Sequence, residues 1–181
     1  MTYERMVLQA VKDDFRTFAA YFFPIANQGT KFDENWHIDA MAHQVTRLIE
    51  GHARYCLVTM PPRCLKSYIM SIALPAFLLG RNPGEKIVVV TYGEQLSDEL
   101  SEATQRIMES APYRLVFPDT LLATRTKRTL KTLLGGQRFS TTIGGAVTGL
   151  GGGWLIVDDP LNGPNAYSEA FEFLGEALQK M

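Results

Sequence analysis

A lysine followed at once by a hydroxyl residue, Lys66-Ser67, closes the short run Met60-Pro61-Pro62-Arg63-Cys64-Leu65. The apolar stretch before it, Tyr55 to Met60, reads as a strand, and a helix-like stretch begins near Lys66. That context is the phosphate-binding half of a Walker A loop. Backbone N–H groups at a helix N-terminus wrap phosphate oxygens, the lysine neutralises their charge, and the hydroxyl ligates Mg²⁺. The full pattern G-x-x-x-x-G-K-[ST] places glycines where this chain has Met60 and Leu65. An ordinary helix start is the competing reading of the pair.

The second set of chemical groups is Trp154-Leu155-Ile156-Val157-Asp158-Asp159-Pro160. Four apolar residues read as a buried parallel strand, and two carboxylates emerge at its C-terminal end, where open α/β sheets bind ligands. In a Walker B arrangement Asp158 holds Mg²⁺ and Asp159 polarises the attacking water. The alternative is a buried strand ending in an Asp-Pro turn. An upstream phosphate loop favours the Mg²⁺ reading.

Stepping along the chain, Val7, Val11, Phe15, Phe18 and Phe22 recur at helical spacing and predict one amphipathic helix stopped by Pro24. Asn35 caps a predicted second helix with Ile38, Met41, Val45, Leu48 and Ile49 inward, ended by Gly51. The helix after Lys66 contains Pro75, which predicts a kink, and ends at Gly80 before Arg81-Asn82-Pro83-Gly84. Lys86 to Thr91 is a second strand, followed by a helix carrying Leu96, Leu100, Ala103 and Ile107 on one face. Thr129 to Leu134 and Gln137 to Ile143 read as a hairpin on a two-residue turn, Gly135-Gly136. Tyr167 to Lys180 is helix-compatible. The expected fold class is α/β, with a mainly parallel sheet in a P-loop NTPase core, two N-terminal helices ahead of it, and a β-hairpin before the Walker B strand. Residues 1–181 are expected to form one domain, with 1–53 as a helical lead-in.

The chain has 181 residues, 46% of them hydrophobic and 20% charged, with net charge −1, as expected for a globular protein with one core. Near-neutrality argues against a surface built wholly to hold DNA. No apolar run is long enough to span a bilayer, so no membrane partner is expected. Cys56 and Cys64 are the two cysteines, which points to a reducing cytoplasm rather than a disulfide framework. Cys64, beside Arg63 and near a helix start, is expected to be the more reactive, and Cys56 buried. His37, His43 and His52 share no metal-ligand spacing with a cysteine, which argues against zinc. Arg125, Lys127, Arg128 and Lys131 form a basic cluster, read either as a solvated hairpin face or as a DNA or subunit contact. Gly144, Gly145, Gly149, Gly151, Gly152 and Gly153 suit either a loop approaching the nucleotide crevice closely or a merely flexible one.

Several segments together resemble the ATPase domain of the large terminase subunit, the motor that packages DNA into tailed-phage capsids. They are Asp14-Phe15 through Phe23, Asn35-Trp36-His37-Ile38, Pro61-Pro62-Arg63 with Leu65-Lys66-Ser67, and Tyr113-Arg114 with Phe117-Pro118. Gly144-Gly145 with Thr148-Gly149, and Ile156-Val157-Asp158-Asp159-Pro160, complete the set. The similarity runs in family order from about residue 13 to about residue 169. The family often carries Leu at the Leu65 position. It tends to have Arg where this chain has Leu150, and an acidic residue where it has Gly153. Past Glu169 the family continues into further ATPase motifs and a nuclease domain, whereas this chain runs to Met181, so no nuclease is expected.

The resemblance implies ATP hydrolysis, with Mg²⁺, driving translocation of double-stranded DNA into a prohead in the host cytoplasm. It implies a small terminase subunit, a portal protein and a homo-oligomeric ring as partners. In that scheme Lys66 stabilises the β/γ-phosphates, Ser67 and Asp158 hold Mg²⁺, and Asp159 activates water. Pro62, Arg63, Cys64, Leu65, Lys66 and Ser67 line the nucleotide. Arg63 is implied as a phosphate sensor, like an arginine finger, against a solvated loop arginine. Trp36 and His37 are implied to contact adenine, against an aromatic plugging the core edge. Two other readings stand beside this one: a truncated prophage remnant that binds nucleotide weakly without motor activity, and a general helicase-like P-loop ATPase.

Overall fold

The computed structural model describes residues 2–143 and 153–160, together with Gly175. Among these residues lie six α-helices, one π-helical turn and a five-stranded sheet. The predicted C-terminal helix lies outside the described residues, apart from Gly175.

Three helices, not two, precede the 61–67 loop. Helices α1 (Tyr3–Asp13) and α2 (Phe15–Ala26) divide the single predicted N-terminal helix at Asp14. Asp14 leaves the helical region (φ −112, ψ 118), and its carboxylate accepts from the Thr17 N–H at 2.6 Å, capping α2. The apolar stripe survives the break, because Val11, Phe15, Phe18 and Phe22 are all buried. Pro24 does not stop α2, which runs on to Ala26. Helix α3 (Trp36–Ile49) buries Ile38, Met41 and Val45 and is capped at Glu50, with Gly51 just beyond at φ +75, which suits glycine. Asn35 occupies the cap position but makes no side-chain capping bond. Aromatic packing joins these helices to the rest of the core: Phe18 lies 4.6 Å from Phe22 and 5.2 Å from Phe77, centroid to centroid.

Tyr55 to Met60 is not a strand. Cys56, Val58 and Met60 are half-buried and alternate with exposed Tyr55, Leu57 and Thr59, the exposure pattern of an extended chain. Among the described residues this segment makes no backbone ladder, and alternation without a partner does not make a strand. Cys56 is therefore half-buried rather than enclosed.

After the loop the chain winds as a π-helical turn, Tyr68–Ala73, with the Leu74 N–H bonded to the Ile69 carbonyl. It continues as α4 (Leu74–Arg81), one residue past the predicted end. Pro75 sits in the first turn of α4 and has no N–H to give the Ser71 carbonyl. The predicted irregularity is thus present, as a wide turn just ahead of the proline.

Strand β1 (Lys86–Thr91) and helix α5 (Glu94–Glu109) match their sequence patterns, with Leu100, Ala103 and Ile107 buried. Helix α6 (Ala111–Val116) and strand β2 (Leu122–Arg125) were not legible beforehand. Strands β3 (Thr129–Thr132) and β4 (Gln137–Thr142) form the hairpin, but its connection spans 133–136 rather than the two glycines, with Gly135 at φ +89. Strand β5 (Trp154–Asp158) completes a sheet of order β2-β3-β4-β1-β5.

The sheet is mixed, not mainly parallel. β1 runs parallel to β4 and β5, whereas β2–β3 and β3–β4 are antiparallel. A tight hairpin can only return antiparallel, and this one joins the same sheet as the helix-linked strands. Among the described residues no helix is long and apolar enough to cross a membrane.

Candidate functional site

Strand β5 delivers Asp158 to the C-terminal end of the parallel ladder, in register with Thr91 of β1. The carboxylate is 3% exposed. Its Oδ1 accepts from the Ser67 hydroxyl at 3.1 Å and its Oδ2 from the Ser71 hydroxyl at 2.8 Å. Beside it the Lys66 Nζ donates to Asp159 Oδ1 at 2.6 Å. Asp159 has φ +44, a left-handed turn that swings its carboxylate out of the strand line to the lysine. The sequence pairs Lys66-Ser67 and Asp158-Asp159 therefore meet in one place.

The loop before Lys66 carries two non-glycine residues in the left-handed region, Arg63 at φ +65 and Leu65 at φ +58. Leu65 adopts the backbone that glycine would provide at that motif position. Alternating left-handed residues turn successive N–H groups toward one side, the geometry of an anion-binding nest. Among the described residues, no carbonyl or side chain accepts from the N–H groups of residues 63–67. Pro62 and Arg63 are exposed, and Cys64, Leu65, Lys66 and Ser67 are half-buried.

The donor set suits a hard divalent cation. Asp158 is a buried carboxylate whose contacts among the described residues are two neutral hydroxyls and no cation. Removing a charge from water without a counter-charge is costly, and Mg²⁺ takes oxygen ligands of this type.

Other candidates sit further off. Trp36 is 78% exposed, so it does not plug the core edge; its ring meets that of half-buried His37 edge-on at 6.1 Å. Among the described residues neither contacts the 61–67 loop by hydrogen bond or ring packing. The basic hairpin cluster is tied to helix α5 and its end: Arg125 to Glu109 at 2.7 Å, Lys127 to Asp98 at 3.2 Å and Arg128 to Glu94 at 2.5 Å. That pairing supports the solvated-face reading, since most of the local positive charge is neutralised. Burial pushes the Cys56 thiol pKa up. The glycines at 144–152 lie outside the described residues; Gly153 lies against Glu85, where an added Cβ would fall 2.4 Å from Oε1.

Two residues at the site escaped the sequence reading. Ser71 follows Ser67 by one helical turn, a spacing that could have flagged a second hydroxyl on the same face. Arg138 on β4 is fully buried; its Nη1 donates to the Ser140 hydroxyl and its Nη2 to the Ser71 carbonyl at 3.3 Å. Burial lowers its pKa to about 9. No local pattern marked it. Neither a scan against protein-family models nor a search of curated proteins finds a match to the chain.

Proposed function

We propose that the chain is an ATP-binding and hydrolysing P-loop domain of a phage terminase large subunit, a DNA-packaging ATPase. One observation carries the nucleotide reading: groups 91 and 93 residues apart, Ser67 with Asp158 and Lys66 with Asp159, converge beside a loop whose N–H groups have no acceptor among the described residues. The segments that resemble terminases support the assignment to a packaging motor.

In this reading the N–H groups of residues 63–67 and the Lys66 ammonium bind the β/γ-phosphates. Ser67 and Asp158 would hold Mg²⁺, which supplies charge neutralisation to the phosphate oxygens when bound. The Lys66–Asp159 pair is partly exposed, with side chains 23% and 58% accessible, and pairs of this kind contribute about 1 kcal/mol or less. A polyphosphate therefore draws Lys66 away readily. The released Asp159 carboxylate is then free to orient water and accept its proton. Arg63, exposed on the loop, would sense phosphate in cis or toward a neighbouring subunit, and Trp36 with His37 would contact adenine. Double-stranded DNA, a small terminase subunit, a portal and a ring of identical subunits are the partners of this reading, in the host cytoplasm.

Calorimetric titration with Mg-ATP tests it. Lys66→Ala should weaken binding at least tenfold, since a charge-assisted hydrogen bond contributes about 1.5–3 kcal/mol. Asp159→Asn should keep affinity while cutting turnover by orders of magnitude. Equal affinity in wild type and Lys66→Ala refutes the proposal.

A further inference from the structure

Asp158 and Arg138 are two almost fully buried charges of opposite sign, and neither has an ionic partner among the described residues. They are joined through a single residue. Ser71, itself fully buried, donates its hydroxyl to Asp158 Oδ2 at 2.8 Å and receives the Arg138 guanidinium on its carbonyl at 3.3 Å. That carbonyl is available in part because Pro75 brings no N–H to it. Among the described residues the Arg138 Nε has no hydrogen-bond partner, and the side chain is held at two points. An arginine kept dry under these conditions is destabilising by itself. Its hydrogen bond to the Ser71 carbonyl is the contact that ties it to the Asp158 carboxylate.

We infer that Ser71 and Arg138 are positioning residues for Asp158, and that they set how well the site holds a divalent cation. The inference rests on the nucleotide reading above. Ser71 occupies one carboxylate oxygen, which fixes the plane of the group and turns Oδ1 toward Ser67. Arg138 anchors the Ser71 backbone from β4 and so holds the Ser71 hydroxyl in place against the carboxylate. Partners behind a metal ligand govern affinity in this way, and their loss typically costs 10–100-fold in metal binding.

The test is calorimetric binding of ADP with and without Mg²⁺. In wild type, Mg²⁺ should strengthen ADP binding. In Ser71→Ala, ADP affinity without Mg²⁺ should stay within about twofold, while the strengthening by Mg²⁺ falls about tenfold. Ser71→Thr keeps the hydroxyl and should recover most of that strengthening. Arg138→Met should reproduce the loss seen in Ser71→Ala, again with metal-free affinity intact. If Ser71→Ala does not fold cooperatively, Ser71→Cys, nearly isosteric but a poor donor, carries the same expectation. Full Mg²⁺ strengthening in folded Ser71→Ala or Ser71→Cys overturns the inference and leaves the nucleotide reading standing. No Mg²⁺ strengthening in wild type overturns the nucleotide reading and this inference with it.

Discussion

Leu65 sits at φ +58 in the loop that presents Lys66, with a half-buried side chain packed against the core. Replacing it by Ala and by Gly removes that packing in both cases, so the difference between the two variants reports on backbone conformation. Ala keeps a Cβ in the left-handed region, which costs roughly 1–2 kcal/mol. Gly escapes that cost, but it loses more chain entropy on folding, about 0.5–1 kcal/mol relative to Ala at an unstrained site. The balance leaves Leu65→Gly more stable than Leu65→Ala by about 0.5–1 kcal/mol, a reversal of the usual order. Ala40, exposed on α3, is the internal control: Ala40→Gly should cost about 1 kcal/mol. Urea denaturation at equal m-value measures all of these on one scale. An Ala variant as stable as the Gly variant at position 65, or more so, would refute the left-handed loop and the nest built on it.

Alkylation with iodoacetamide at pH 8, followed by peptide mapping, should label Cys64 before Cys56, because burial raises the Cys56 pKa and leaves less thiolate there. Mg-ATP should slow labelling of Cys64; no protection would count against placing the loop around the phosphates. Gly136→Ala should destabilise by about 1–3 kcal/mol, since the new Cβ would lie 2.3 Å from the Pro83 carbonyl oxygen and 2.7 Å from that of Glu85. Gly84→Ala, with its nearest neighbour a side-chain atom at 3.4 Å, should change stability by well under 1 kcal/mol, and similar urea midpoints for the two would contradict this packing.

What the sequence determined by itself was local. The valine run of β1, the apolar stripe of α5, the Trp154–Val157 strand and the inward face of α3 are periodic patterns within a single segment, and each became the element expected of it. Lys66-Ser67 and Asp158-Asp159 were legible for the same reason, as adjacent pairs flanked by strong local signals. Where patterns were right and elements wrong, the missing information was a partner. Tyr55 to Met60 alternates as a strand would, but a strand is a ladder between two segments, and one segment does not specify the other. The Asp14 break shows a subtler limit, since the apolar stripe continues across it while a side-chain cap divides the helix. Only the tertiary structure decided that the hairpin joins the parallel strands in one mixed sheet, and that acids along α5 and at its end neutralise the basic hairpin. It alone placed Ser71 between Asp158 and Arg138. A lone serine and a lone arginine carry no period, and contacts between groups 67 and 87 residues apart follow from packing of the whole core rather than from any window of the chain.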